Sequence, residues 1–316
     1  MFIKEFETAL EKADIALLAK IPKSDLHNHA ELGSRLELFE EWCGKKISTP
    51  PEKMPCFSDF EKYLSETFNK FLSRRKFFRY TKKASFTQAV NDGICVLQMS
   101  IDSRAVLIYG FSGKKITEIT KRNHQQIAPE ICFIPQLGLD RRHHKKLLLY
   151  EAEILLNTGY FKSIDLYGDE TYGDIKDFIP LYRKAKKMGL KLTAHAGEYG
   201  TADSVKKAVE LLELQQVQHG ISAAASPEVM KWLADNNIIL NVCPTSNVVL
   251  CRVKSIKEHP IRKLFDYGVR VTINTDDLMI FNQSVSQEYL NLFNAKVFNA
   301  RELDIIRQTG LKAFND

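Results

Sequence analysis

The sequence predicts an α/β protein, a (β/α)8 TIM barrel with extra helices inserted after its first strand. Three observations carry this. Eight short apolar runs of strand length recur along the 316 residues. From about residue 90 onward, capped helical patterns separate them. The length suits one barrel, so residues 1–316 are read as a single domain. A doubly wound open sheet is the competing architecture, but no GxGxxG follows the first strand, which weakens a dinucleotide-binding version.

The stretch MFIKEFETALEKADIALLAK keeps charges throughout its apolar spacing, so it reads as an amphipathic helix and not as a signal peptide. The first strand is expected over 24–30 (SDLHNHA), which follows Pro22 and is too short for a helix before Gly33. Residues 35–90 are too long for one crossover helix. They contain the loop STPPEKMP and then FSDFEKYLSETFNKFLSRRKFFRY. They are expected to be inserted helices at the catalytic end of the barrel, placed to form a lid. The run Lys70 to Lys83 is basic and aromatic. No nucleic-acid-binding pattern accompanies it, so amphipathic helices with a solvated basic face are preferred.

The remaining strands are expected over 94–101, 131–137, 162–168, 190–196, 215–220, 238–243 and 269–275. Most look continuously apolar, as in a parallel sheet covered on both faces. The helix after the fifth strand takes Thr201 or Asp203 as N-cap and repeats Val205, Ala208, Val209 and Leu212 on one face. The next opens with Ser226 and Pro227 and ends near Asn236–Asn237. Gly189 and Gly268 stand where left-handed C-caps are needed.

No window reaches ~18 uncharged apolar residues, so no membrane span is expected. Cys43, Cys56, Cys95, Cys132, Cys243 and Cys251 form no CxxC and no disulfide framework. They are read as reduced and mostly buried, in a cytoplasmic protein. A net charge of +6 is modest and usually means only solvated surface.

In a parallel barrel, chemistry gathers where strands end. The first strand ends with His27 and His29, two residues apart and so on one face of a strand. Two neutral imidazoles so placed can share a metal. The fourth ends with Asp165, Gly168 and Asp169, and the fifth with His195 and Glu198. The sixth ends with His219, and the eighth with Asp276 and Asp277. Each has a plain alternative: a hydrogen-bonded core histidine, a turn, or an N-cap for Asp276–Asp277 and Asp169–Glu170. Converging unpaired at one mouth, they would be costly to bury. Three imidazoles and a carboxylate without thiolate suit zinc, with iron, cobalt or manganese also compatible. His124, His143, His144 and His259 are expected on the surface.

The motifs PKSDLHNHAELG, DLYGDET, AHAGEYG, QHGI, CPTSN and TINTDDL resemble, in order and spacing, the adenosine/AMP deaminase family from about Pro22 to Glu288. The resemblance implies a zinc-dependent barrel that deaminates adenosine or 2′-deoxyadenosine. It implies His27, His29, His195 and Asp276 as metal ligands. It implies Glu198 as the acid for purine N1, and His219 as the group that orients and helps deprotonate the attacking water. It places Asp277 at N7 and the Gly168 N–H at N3. Two departures stand out. HNHAELG is one residue longer than the usual HxHLxG, putting Glu31 where an acid would grip the sugar, and Leu278 stands where proline commonly follows. The substrate alternatives are adenine, an N6-substituted AMP or a modified nucleoside. A phosphorylated substrate would need cations such as Arg74, Arg75, Arg104 or Arg141. A metal-dependent phosphoesterase would need more strand-end ligands than are present, and a non-catalytic nucleoside binder would not need Glu198. The zinc deaminases built on HxE followed by PCxxC are excluded, because no PCxxC accompanies the HAE of residues 29–31. The expected partner is a small purine, with neither nucleic acid nor membrane.

Overall fold

The computed structural model describes residues 2–72 and 74–314. Eight parallel strands follow one another in chain order: β1 (Lys23–His29), β2 (Ile94–Asp102), β3 (Cys132–Asp140), β4 (Ser163–Tyr167), β5 (Lys191–Ala196), β6 (Gln216–His219), β7 (Ile239–Val242) and β8 (Arg270–Ile273). The ring closes between β8 and β1 by few bonds. Asp276 N–H donates to the His27 carbonyl at 2.8 Å, and Leu26 N–H donates to Asn274 Oδ1 at 2.7 Å. The architecture is the expected TIM barrel, and only β3 differs by more than two residues, running on through Asp140.

The strands are less uniformly apolar than they look. Along β2, Leu97, Met99 and Ile101 pack outward into the main core. The other face of the sheet carries amides and hydroxyls. Asn241 donates to Gln216 and Gln218, Thr272 donates to Asn241, and Gln136 donates to Ser163 and Thr193. Leu26, Val96, Ile134 and Ile239 form a small apolar floor. The expectation of continuously apolar strands is therefore corrected. Asn241, Gln216, Gln218 and Gln136 are tolerated here because they bond to one another or to hydroxyls, whereas the buried Gln98 side chain is unpaired among the described residues.

In β1 the register slips by one residue. Asp25 pairs with Leu97, but the next pair is Asn28 with Met99. Such a bulge shifts the alternation of faces. Consecutive residues Leu26 and His27 can therefore both serve the barrel interior, one in the floor and the other in the site above.

The inserted region also differs from expectation. Helices Leu36–Cys43 and Phe57–Leu72 are the additions. Helix Arg75–Asn91 packs on β2 and on helix Gly113–Ile127, so it is the ordinary crossover helix and the insertion ends before it. Phe39, Phe68, Phe77, Met279 and Phe281 give the added helices their own core. Lys82 does not lie on a solvated face. It is fully buried against Glu31.

The N-terminal amphipathic stretch is two helices, Ile3–Glu11 and Ile15–Leu18, separated by Ala13 at φ 51°. Met1, included in that reading, lies outside the described residues. Thr201 caps its helix in a box with Ser204, and Ser226 caps the next by accepting from Val229 N–H. Gly189 and Gly268 both take φ 79°. All six cysteines are free, but only Cys243 is buried, which corrects the expectation of mostly buried thiols. His259 is also buried, at 3% exposure, and His124 and His143 are half-buried. Their rings fill gaps between helices and loops, which the chain order does not reveal. Among the described residues, no helix is long and apolar enough to cross a membrane.

Candidate active site

Four side chains from three strand ends aim at one point. The donor atoms of His27, His29, His195 and Asp276 all lie within 4.8 Å of one another. His27 Nε2 is 3.0 Å from His195 Nε2. Asp276 Oδ1 is 3.5 Å from His27 Nε2 and 3.4 Å from His29 Nε2.

The far sides of the rings decide which nitrogen faces inward. His27 Nδ1 is 3.3 Å from the Asn241 carbonyl, with Cys243 Sγ also at 3.3 Å. His195 Nδ1 is 3.1 Å from Asp165 Oδ2. The Asn241 carbonyl keeps a proton on His27 Nδ1, and the Asp165 charge favours one on His195 Nδ1, which leaves a lone pair on each Nε2. Two lone pairs 3.0 Å apart, facing a carboxylate, repel unless a cation lies against them, so the donor set fits a divalent ion. Burial pushes the pKa of His27 down to about 3 and of His29 down to about 4, leaving both rings neutral, the form that can bind a metal ion. Burial also opposes charge on His195, but Asp165 outweighs it and raises that pKa. Ser246 Oγ donates to Asp276 Oδ2 at 2.7 Å and holds the carboxylate in place.

Glu198 and His219 stand beside this cluster. Burial first, then the charges of Asp276 and Glu170, push the Glu198 carboxyl far above its usual range. Among the described residues its Oε1 has no partner, while Oε2 is 3.5 Å from His219 Nε2. The loop that carries Glu198 is clamped by Glu170, whose carboxylate accepts from the N–H groups of Gly197, Tyr199 and Gly200. Glu170 is thus not a helix cap, and Asp169 only caps a turn by accepting from Thr171. Asp277 makes no side-chain cap bond either. It lines the site, and burial with the nearby Asp276 and Glu31 charges raises its pKa strongly. His219 and Asp276 both adopt left-handed backbone, φ 64° and 60°, a strained geometry that turns their side chains into the site.

A cavity of about 480 Å³ opens over these residues, lined also by Gly168, Glu31 and Asp277. Every residue singled out at the strand ends for metal, acid or substrate roles is therefore brought to one place. Phe57, Phe60 and Leu64 of the added helix Phe57–Leu72 roof it. Lys82 Nζ, fully buried, holds Glu31 Oε1 at 2.5 Å. Of the four arginines considered for a phosphate, only Arg104 reaches the cavity, joined by Arg142, which sequence reasoning missed. Arg104 is gripped by Asp102 and Asp140, and Arg142 by Asp140 and Glu61. Arg75 binds the Tyr109 carbonyl and Arg141 the Tyr172 carbonyl, and neither arginine lines the cavity. Asp165 was visible as a strand-end carboxylate. Glu170 and Lys82 gave no signal beyond their residue types.

Fold and site together define a barrel hydrolase of the metal-dependent kind. The family profile for adenosine deaminase matches residues 22–315, and the chain belongs to that family as a deaminase, an aminohydrolase. It is 32% identical over 271 residues to a Treponema pallidum protein named as an adenosine/adenine deaminase, covering 86% of this chain and 91% of that protein. It shares its fold with an adenine deaminase from Arthrobacter aurescens, with a TM-score of 0.81 at 22% identity over 92% of this chain and 93% of that one. It also shares it with an Arabidopsis N6-mAMP deaminase, with a TM-score of 0.79 at 20% identity over 94% of both chains.

Proposed function

We propose that the chain hydrolyses the 6-amino group of adenosine or 2′-deoxyadenosine, releasing ammonia and leaving the 6-oxo purine nucleoside. The observation that carries this is Glu198, a buried carboxyl with one oxygen free, beside four convergent metal donors. In this reading His27, His29, His195 and Asp276 hold one zinc ion. When bound, zinc lowers the pKa of water from 15.7 to about 7. Glu198 gives its proton to purine N1, which removes the negative charge that attack at C6 would place on the ring. His219 orients the attacking water and helps to take its proton, and Asp276 faces the same point as ligand and catalytic carboxylate. Asp277 meets N7, the Gly168 N–H meets N3, and Glu31 with His29 borders the sugar.

The same chemistry on adenine, an N6-substituted AMP or a modified nucleoside is the second reading. An uncharged substrate is favoured over a monophosphate because Arg104 and Arg142 are both already engaged by carboxylates. The reading takes 1–316 as one catalytic unit working on a small purine, not on nucleic acid or a membrane. Six free cysteines suit a reducing cytoplasm.

The test is ammonia released from a panel of 6-aminopurines by zinc-loaded protein. Adenosine and 2′-deoxyadenosine are expected to lead, and release from none of the panel defeats the reading. Elemental analysis of His27→Ala and Asp276→Ala is expected to show lost zinc.

A further inference from the structure

A second line of polar groups reaches the site from behind. Ile261 N–H donates to His259 Nδ1 at 3.1 Å. A backbone amide only donates, so Nδ1 carries a lone pair and the ring proton sits on Nε2. Burial pushes the pKa of His259 down to about 3, which keeps the ring neutral. His259 Nε2 lies 3.3 Å from Asn247 Oδ1 and must donate to it. That settles which way the amide faces, because its oxygen is needed at His259. Asn247 Nδ2 then faces His219 Nδ1 at 3.2 Å. An amide NH2 only donates, so His219 Nδ1 carries the lone pair and its proton sits on Nε2. Nε2 is the atom that looks into the site, 3.5 Å from Glu198 Oε2 and 3.8 Å from Asp276 Oδ2.

We infer that the relay Ile261 N–H, His259, Asn247 locks His219 as the Nε2–H tautomer, making His259 and Asn247 positioning residues for the reaction. The inference rests on the function proposed above and sharpens one role within it. With Nε2 protonated, His219 donates to the attacking oxygen and has no lone pair there to take a proton. It contributes orientation, and the Asp276 carboxylate, 3.8 Å from His219 Nε2, takes the water's proton in its place. Asn247 lies on the helix Pro244–Val249, which also presents Ser246 to Asp276, so one short element orients two groups of the site.

Long-range ¹H–¹⁵N correlation of histidine-labelled protein reads the tautomer directly, with His219→Asn assigning the signal. The expected result is a proton on Nε2 of His219 in both metal-loaded and chelated protein, and a proton on Nδ1 overturns the inference. His259→Leu removes the donor and frees the amide to turn. It should introduce the Nδ1–H form and lower kcat about tenfold, with KM within about twofold. His259→Gln keeps a donor toward Asn247 and should retain the original tautomer and most of kcat. Unchanged tautomer and kcat in His259→Leu, or equal losses in both variants, overturn it. Should a variant fail to fold, the measurement on the unaltered chain still decides. Inactivity on every 6-aminopurine defeats the functional reading and leaves the tautomer result standing, whereas Nδ1–H in an active enzyme defeats the relay alone.

Discussion

A carboxylate set against an imidazole decides which ring nitrogen faces outward, and Asp165 does this for His195. A carbonyl does it for His27, and an amide for His219. Glu198 depends instead on what is missing. Among the described residues nothing pairs its Oε1, and burial, with the Asp276 and Glu170 charges, pushes the carboxyl well above its usual range, toward holding a proton. Activity is therefore expected to fall as pH rises through the raised Glu198 pKa, where the carboxyl loses that proton. Glu198→Gln keeps the shape but has no proton to give. It should retain metal and ligand while losing about 10²–10⁴ in kcat. Adenosine absorbance, followed across pH with metal content measured in parallel, checks both, and near-normal turnover in the variant would remove Glu198 from its role. The residue types at the strand ends were legible because His, Asp and Glu carry their chemistry in their names. Glu170 was not, since its clamp on the loop around Glu198 joins residues far apart along the chain.

Elements set where those groups stand. The β1 bulge brings His27 into the site directly after Leu26, which lies in the floor. The added helix Phe57–Leu72 closes the mouth through Phe57, stacked by Arg142, and Phe60, facing Phe281. Helix Arg75–Asn91 delivers Lys82, wholly buried, to Glu31 and over the Phe78 ring at 4.2 Å. Removing Lys82 leaves the Glu31 carboxylate, 18% exposed at the cavity, without its partner, which costs about 1–3 kcal/mol. Lys82→Met is expected to lower the denaturant midpoint accordingly, and Lys82→Met with Glu31→Gln should recover most of the loss. A double variant as unstable as the single one would mean the pair is not the cause. Helices and strands were legible as elements because caps and apolar spacing are local. Which helix was inserted and which was the crossover was not, since both are amphipathic and only packing on β2 separates them.

At the scale of the molecule, the barrel joins a polar interior to its active end. Glu288, on helix Val285–Asn294, accepts from Thr245 N–H at 3.0 Å and Thr245 Oγ1 at 2.9 Å. It thereby ties the C-terminal part of the chain to the helix that carries Ser246 and Asn247. Burial raises the Glu288 pKa from 4.5 to about 8. A folded-state pKa above the unfolded one adds stability that is full below the unfolded value and lost as pH rises through the folded one. The Glu288 contribution is thus present below pH 4.5 and gone above about 8. Unfolding free energy measured across that window should fall with rising pH, and less steeply in Glu288→Gln. Identical slopes would clear Glu288 of the effect.

By itself the sequence determined the barrel, the family, and which strand-end residues to propose as ligands and acid, because strand and helix periodicity and motif chemistry are written over short stretches. Only the tertiary structure decided that Lys82 and His259 are buried, that Arg104 and Arg142 are already paired, and which nitrogen of each ring faces the site. Those properties depend on which distant groups a side chain meets, and that depends on how strands and helices pack, not on the order of residues along them.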